Sequence, residues 1–256
     1  AITCPESLCV NLCTSHFGIG GDGIVLIEAS KIADAKMRTF NRDGSEGQMA
    51  GNNLRCVAKY LYDNGMVRSE HMKIETASGI RKLKIFTRDG KVSSVTAEMG
   101  KADFSSVSVG AAVSSENMIA YPISVSDKVY TVTCVSIGNP HCVLFCDNAE
   151  GLELSEIGPL FEYSEYFPKR INTEFVRVIN RRSLRVRVWE RGNGETLACG
   201  TGACAAAAAA VKNGLCDYGC DITVRLDGGD LTVNYSDDGI TLSGNAVSVY
   251  DGTFEY

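Results

Sequence analysis

The feature that most restricts what this chain can fold into is that it matches itself. Shifted by 149 residues (186 − 37), Met37-Arg38-Thr39-Phe40-Asn41-Arg42-Asp43-Gly44-Ser45-Glu46 falls without a gap on Val186-Arg187-Val188-Trp189-Glu190-Arg191-Gly192-Asn193-Gly194-Glu195. At the same offset Ala50-Gly51-Asn52 falls on Cys199-Gly200-Thr201, Asn64-Gly65 on Asn213-Gly214, and Asp89-Gly90 on Asp238-Gly239. One offset kept through a strand, a turn, a helix and a hairpin describes two copies of one ancestral unit. The expected class is α+β: two pseudo-symmetric lobes, each a β-barrel-like sheet wrapped around a central helix, with an active site in the cleft between them. The lobes are expected over Ala1 to Gly110, with Tyr250 to Tyr256 packing back onto it, and over Ala111 to Val249.

The second copy shows what the repeat carries. Leu184 to Trp189 alternates like a strand, the glycines that follow make a tight turn, and the Ala205 to Ala210 tract reads as a helix with Cys199 near its first turn. A thiolate at a helix N-terminus is stabilised by free backbone N–H groups and by the macrodipole, so a lowered pKa is expected for Cys199. Two such helix starts meeting across a pseudo-twofold axis form a cleft that favours anions, such as a substrate carboxylate. A thiolate on one face of a carbon and a thiol on the other could invert a stereocentre, one taking a proton and the other returning one. In the first copy that place is held by Ala50. Cys56 is no replacement, because it lies nearly two helical turns further on and faces elsewhere.

Along the rest of the chain, Ala1 to Phe17 reads as a helix entering a turn, with Leu8, Val10 and Leu12 as core candidates. Gly18-Ile19-Gly20-Gly21-Asp22-Gly23 precedes a strand at Ile24 to Glu28. That order is the reverse of a dinucleotide loop, so the glycines are read as a structural turn. Ala35 to Phe40 is a strand and Asn52 to Asn64 a helix, closed by Gly65 at C′ and carrying Leu54, Val57, Ala58, Leu61 and Tyr62 at helical spacing. Met72 to Thr76, Lys82 to Thr87 and Val92 to Met99 are strands, the last two joined by a hairpin turn at Asp89-Gly90. Lys101 to Asn117 is expected to be loop and extended connection, Ser124 to Thr133 a strand, and Glu153 to Phe161 a short helix. Asp221 to Leu226, Leu231 to Tyr235, Ile240 to Ser243 and Val247 to Tyr250 are expected to complete the second sheet. The segment Val135 to Phe145 has no partner in the first copy, since 136 − 149 is −13. An opening strand is therefore expected to be missing there.

Composition narrows the partners. A net charge of −6, with no basic run, argues against a nucleic-acid surface, and no apolar run approaches the roughly 18 residues of a membrane span. Eleven cysteines could suggest a disulfide framework, but the number is odd and no secretory signal opens the chain, so reduced thiols in the cytoplasm are expected. Their spacings lack C-x2-C pairs and only three histidines are present, so no metal site is expected.

Taken together, Asn41-Arg42-Asp43-Gly44-Ser45-Glu46, Gly51-Asn52, Arg55-Cys56, Ser136-Ile137-Gly138-Asn139-Pro140-His141, Arg170-Ile171-Asn172-Thr173-Glu174-Phe175-Val176, Glu190-Arg191-Gly192 and Glu195-Thr196-Leu197-Ala198-Cys199-Gly200-Thr201-Gly202 resemble the diaminopimelate epimerase family. The likeness covers nearly the whole chain. It implies a cofactor-independent, two-base epimerisation of LL-diaminopimelate to meso-diaminopimelate, in lysine and cell-wall precursor biosynthesis. No lysine stands in a Schiff-base context, in keeping with the absence of pyridoxal. By resemblance Cys199 is one catalytic base, Ala50 stands where the second thiol belongs, and His141 and Glu190 lie at the reacting centre. Gly51, Asn52, Gly200 and Thr201 bind the α-carboxylate, and Asn41, Asn139, Asn172, Glu190 and Arg191 hold the remainder of the substrate. The partner is a small amino acid, and a homodimer is possible. Ala50 implies a form that cannot complete the inversion, either a disabled variant or a divergence to a one-base reaction. Other readings are a related racemase or dehydratase, and an amino-acid-binding homologue without catalysis.

Overall fold

The structure is a computed structural model that describes residues 2–47 and 51–255. Two compact units are present, Ala1–Ala97 with Gly244–Tyr256, and Glu98–Ser243. In the first, α1 (Pro5–Cys13) is followed by β1 (Gly23–Glu28), β2 (Ala35–Asn41), the short β3 (Glu46–Gly47), α2 (Gly51–Asp63), β4 (His71–Thr76), β5 (Gly79–Arg88) and β6 (Lys91–Gly100). Its strands run in the order β1-β2-β4-β5-β6, with β3 on β2. The second holds α3 (Ser106–Val109), β7 (Tyr121–Val125), β8 (Lys128–Ser136), β9 (Pro140–Phe145), α4 (Leu154–Glu162), β10 (Asn172–Asn180), β11 (Ser183–Glu190), β12 (Gly194–Thr196), α5 (Gly200–Lys212), β13 (Asp221–Leu226), β14 (Gly229–Ser236) and β15 (Gly239–Gly244). Here the order is β15-β14-β13-β11-β10-β9-β8-β7, with β12 on β11.

The repeat is visible in the pairing. Adding 149 to the bounds of α1 and α2 gives those of α4 and α5. Ile24 faces Phe40 and Thr39 faces Gly47; at the same offset Thr173 faces Trp189 and Val188 faces Thr196. The match of α1 with α4 is not readable from the residues, because the two share a face and not a motif. Further on the offset drifts. Ala35 pairs with Ile74 but Leu184 with Val224, one residue later than the offset predicts, and β14 has 8 residues where β5 has 10. The turn between β14 and β15 is thus Asp237-Asp238, between Ser236 and Gly239, and not the Asp238-Gly239 pair that matches Asp89-Gly90 in sequence.

Packing explains the helices. On α2, Leu54, Val57, Ala58 and Leu61 are buried in one stripe, and Tyr62 is half-buried. The helix begins at Gly51, one residue before the expected start, and ends where Gly65 takes φ +71° while Gly65 and Met66 donate to Tyr62 and Leu61 carbonyls. α5 is buried on every side from Gly200 to Ala210, because the second sheet reaches it through β8, β9, β10, β11, β13 and β14. Small side chains, mostly methyl groups, let six strands close around one helix. Ala207→Leu is accordingly expected to overpack the unit and destabilise it by about 1–3 kcal/mol, measured by denaturant unfolding; an unchanged midpoint would mean that the wrapping is loose.

Elsewhere the structure departs from expectation. On α1 the buried residues are Pro5, Leu8, Cys9 and Cys13, while Val10 is exposed and Leu12 half-buried, since helical spacing selects i, i+4 and not alternate residues. Ser124 to Thr133 is no single strand: Ser126 and Asp127, at φ +47° and +62°, turn the chain between β7 and β8. Within 101–117, Ser105 caps the one-turn α3 by accepting from the Ser108 amide. Val247 to Tyr250 forms no strand, and its Val247, Val249 and Tyr250 side chains are exposed. All eleven cysteines are free, and no described helix is long and apolar enough to cross a membrane.

Candidate active site

Cys199 is the N-cap of α5, at φ −118° and ψ 117°, one position ahead of the helix. Its sulfur accepts from the Gly202 amide at 3.3 Å and lies 3.5 Å from Thr201 Oγ1, so the thiol occupies the place that a serine or aspartate usually takes. A chain of polar contacts leads away from it. Asn139 Nδ2 donates to Thr201 Oγ1 at 3.1 Å, Asn139 Oδ1 lies 3.1 Å from His141 Nε2, and His141 Nδ1 lies 2.6 Å from Glu174 Oε1. Cys199, Thr201, Asn139 and His141 therefore sit together, with His141 fully buried and linked to the sulfur through Asn139 and Thr201.

The expected low pKa of Cys199 is corrected by the structure. Burial pushes the thiol well above its usual value, and the carboxylates of Glu190 and Glu174 push the same way. The Thr201 hydroxyl and the Gly202 amide pull it down without prevailing. A helix terminus lowers a pKa by stabilising charge, but desolvation of the charged form costs more when the sulfur is only 7 % exposed. The resting group is a thiol.

A second cluster supports the turn between β11 and β12. Asn172, buried on β10, donates from Nδ2 to the Pro140 carbonyl at 2.8 Å and accepts the Arg191 amide on Oδ1 at 2.9 Å, tying that turn to the first residue of β9. Glu190 accepts from the Thr196 hydroxyl, and the Arg191 guanidinium, exposed, donates to the Lys169 carbonyl at 3.3 Å. Gly200 and Thr201 are the first two residues of α5.

In the first unit, Gly51 and Asn52 open α2, where Arg55 donates to the Gly51 carbonyl at 3.2 Å and to Asn52 Oδ1 at 3.0 Å. Asn41 ends β2 and donates to Ser45 Oγ at 3.0 Å. Ala50 lies outside the described residues. Cys56 is exposed on α2.

Three residues of the site were not singled out from the sequence. Glu174 is fully buried beside His141, and burial pushes its carboxyl up against the pull of the imidazole. It lies in the Arg170 to Val176 stretch that carries the family resemblance, but no role is read for it there. Gly202 allows the packing, since a Cβ there would stand 2.7 Å from Glu174 Oε1 and 3.3 Å from the Cys199 sulfur. Glu162, 2 % exposed at the end of α4, accepts Trp189 Nε1 at 2.7 Å and the Gly192 amide at 2.9 Å on its two oxygens. Nothing in the sequence around Glu162 marks it.

The family model for diaminopimelate epimerase matches residues 3–105 and 133–253. The chain belongs to the diaminopimelate epimerase family. It is 44% identical over 250 residues to the diaminopimelate epimerase of Acetivibrio thermocellus, covering 97% of this chain and 89% of that one. A diaminopimelate epimerase of Methanococcus maripaludis is 46% identical over 242 residues, covering 94% and 87%. Among solved structures, a probable proline racemase from Agrobacterium radiobacter superposes with a TM-score of 0.69 at 17% identity, covering 96% of this chain and 81% of that one. A predicted epimerase from Pseudomonas aeruginosa gives 0.64 at 18%, covering 94% and 84%. These two share the α+β fold of the family, an isomerase family.

Proposed function

We propose that the chain is built to epimerise LL-diaminopimelate to meso-diaminopimelate without a cofactor, and that Ala50 leaves it with one of the two groups the inversion needs. The observation that carries this is Cys199 at the head of α5, with the Gly202 amide and Thr201 hydroxyl directed at its sulfur. On this reading Gly51, Asn52, Gly200 and Thr201 offer helix-end donors to the α-carboxylate. Asn41, Asn139, Asn172, Glu190 and Arg191 hold the rest of the molecule, and His141 supports the reacting centre through Asn139. A developing carbanion gains its stabilisation from these fixed dipoles and from the exclusion of water.

The raised pKa of Cys199 gives the test. In deuterium oxide the parent protein should exchange the α-hydrogen of diaminopimelate slowly and with retention. Because thiolate accumulates as pH rises toward a raised pKa, the rate should climb about tenfold per pH unit from neutral upward. Cys199→Ala should abolish exchange. A rate that is flat with pH, or exchange surviving in Cys199→Ala, would remove Cys199 from the chemistry. Ala50 favours one other reading, an amino-acid-binding homologue without turnover: calorimetric binding of diaminopimelate with no exchange at any pH would establish it.

A further inference from the structure

Glu162 occupies a place that the proton chemistry does not use. It ends α4, is 2 % exposed, and spends both carboxylate oxygens on the segment that carries Glu190 and Arg191: Oε2 on the indole N–H of Trp189 before the turn, Oε1 on the amide of Gly192 within it. Gly192 takes φ +83°, a left-handed conformation that glycine adopts without steric cost. Asn172 holds the adjacent Arg191 amide, and Arg170 approaches Glu162 Oε1 at 3.7 Å from a half-exposed position. Two N–H donors, from half-buried Trp189 and exposed Gly192, thus converge on one buried carboxyl group, and a hydrogen bond to a charged group is stronger than one between neutral groups.

We infer that Glu162 is a positioning residue: by clamping Trp189 and Gly192 together from beneath the turn, it fixes the direction in which Arg191 leaves it, and so sets affinity for the distal end of the substrate. This rests on the reading in which Glu190 and Arg191 meet that distal end. The Cys199 sulfur makes its hydrogen bonds with Thr201 and Gly202, which the clamp does not touch.

The test uses the full chain with Glu162→Gln, Trp189→Phe and both together. Glutamine has one acceptor oxygen, and its NH2 group would face one of the two donors. In Glu162→Gln, hydrogen exchange of the Gly192 amide should accelerate about tenfold and the Kd for meso-diaminopimelate should rise about tenfold, the factor carried by one hydrogen bond to a charged group. Exchange of the Gly202 amide, which donates to the Cys199 sulfur, should not change. Trp189→Phe removes one donor, so in that background Glu162→Gln should change both quantities by no more than about twofold, as expected when two residues share one interaction. An unchanged Gly192 exchange rate, an unchanged Kd despite a loosened turn, or equal effects in the two backgrounds would overturn the clamp. If the parent binds no diaminopimelate while the amide effect and its suppression persist, the substrate reading fails and the clamp stands.

Discussion

Ala50→Cys is expected to raise epimerisation of diaminopimelate by about 10²- to 10⁴-fold, the range by which a positioned acid or base contributes to a proton transfer. The reason lies in the repeat. α2 and α5 correspond residue for residue, so position 50 precedes Gly51 as Cys199 precedes Gly200. On the proposed two-base reading, a thiol there would be the second proton-transfer group, turning exchange with retention into inversion. The measurement is formation of the meso isomer with simultaneous solvent deuterium uptake, for both starting isomers. Parent turnover as fast as that of Ala50→Cys would end the two-base account; so would an Ala50→Cys protein that binds substrate and remains inert.

The second large effect is expected at Gly158. It lies one helical turn before Glu162 on α4, where a Cβ would stand 2.2 Å from Trp189 Cδ2 and 2.5 Å from Cε3 and Cγ. The indole cannot retreat easily, because its N–H is bound by Glu162 on the same helix face. Gly158→Ala must therefore move α4 or break the clamp, at a cost of about 1–3 kcal/mol for an overpacked core. At about 2–4 °C per kcal/mol for a chain of this size, the loss should appear as a fall of several degrees in Tm. The Gly192 amide should exchange faster in parallel. A Tm within error of the parent would show that the indole is free to shift, and would weaken the argument for Glu162 as well.

How far the residues alone reach is seen by comparing Glu190, Asn172 and Cys199 with Glu162 and Glu174. Cys199 is readable locally, as a thiol ahead of a helix; Asn172 and Glu190 are singled out only through the family resemblance, and neither route gives a role to Glu162 or Glu174. The latter two act across 27 and 33 residues, Glu162 on Trp189 and Glu174 on His141, and no periodicity reports such contacts. Val10 and the strand expected at Val247 to Tyr250 failed for a related reason, since both were apolar positions judged without knowing what they would pack against.

The sequence by itself determined the duplication, the class and the place of Cys199 at a helix start. These follow from short-range rules: a period of two or of 3.6, a turn residue, a cap, and one offset repeated. Only the tertiary structure decided that the cysteine is a resting thiol. The local rule, a helix terminus that favours charge, predicts the opposite, but desolvation is set by everything that surrounds the sulfur, including Glu174 and Glu190 brought in from other strands. Burial is a property of the assembled unit, and no stretch of the chain carries it alone.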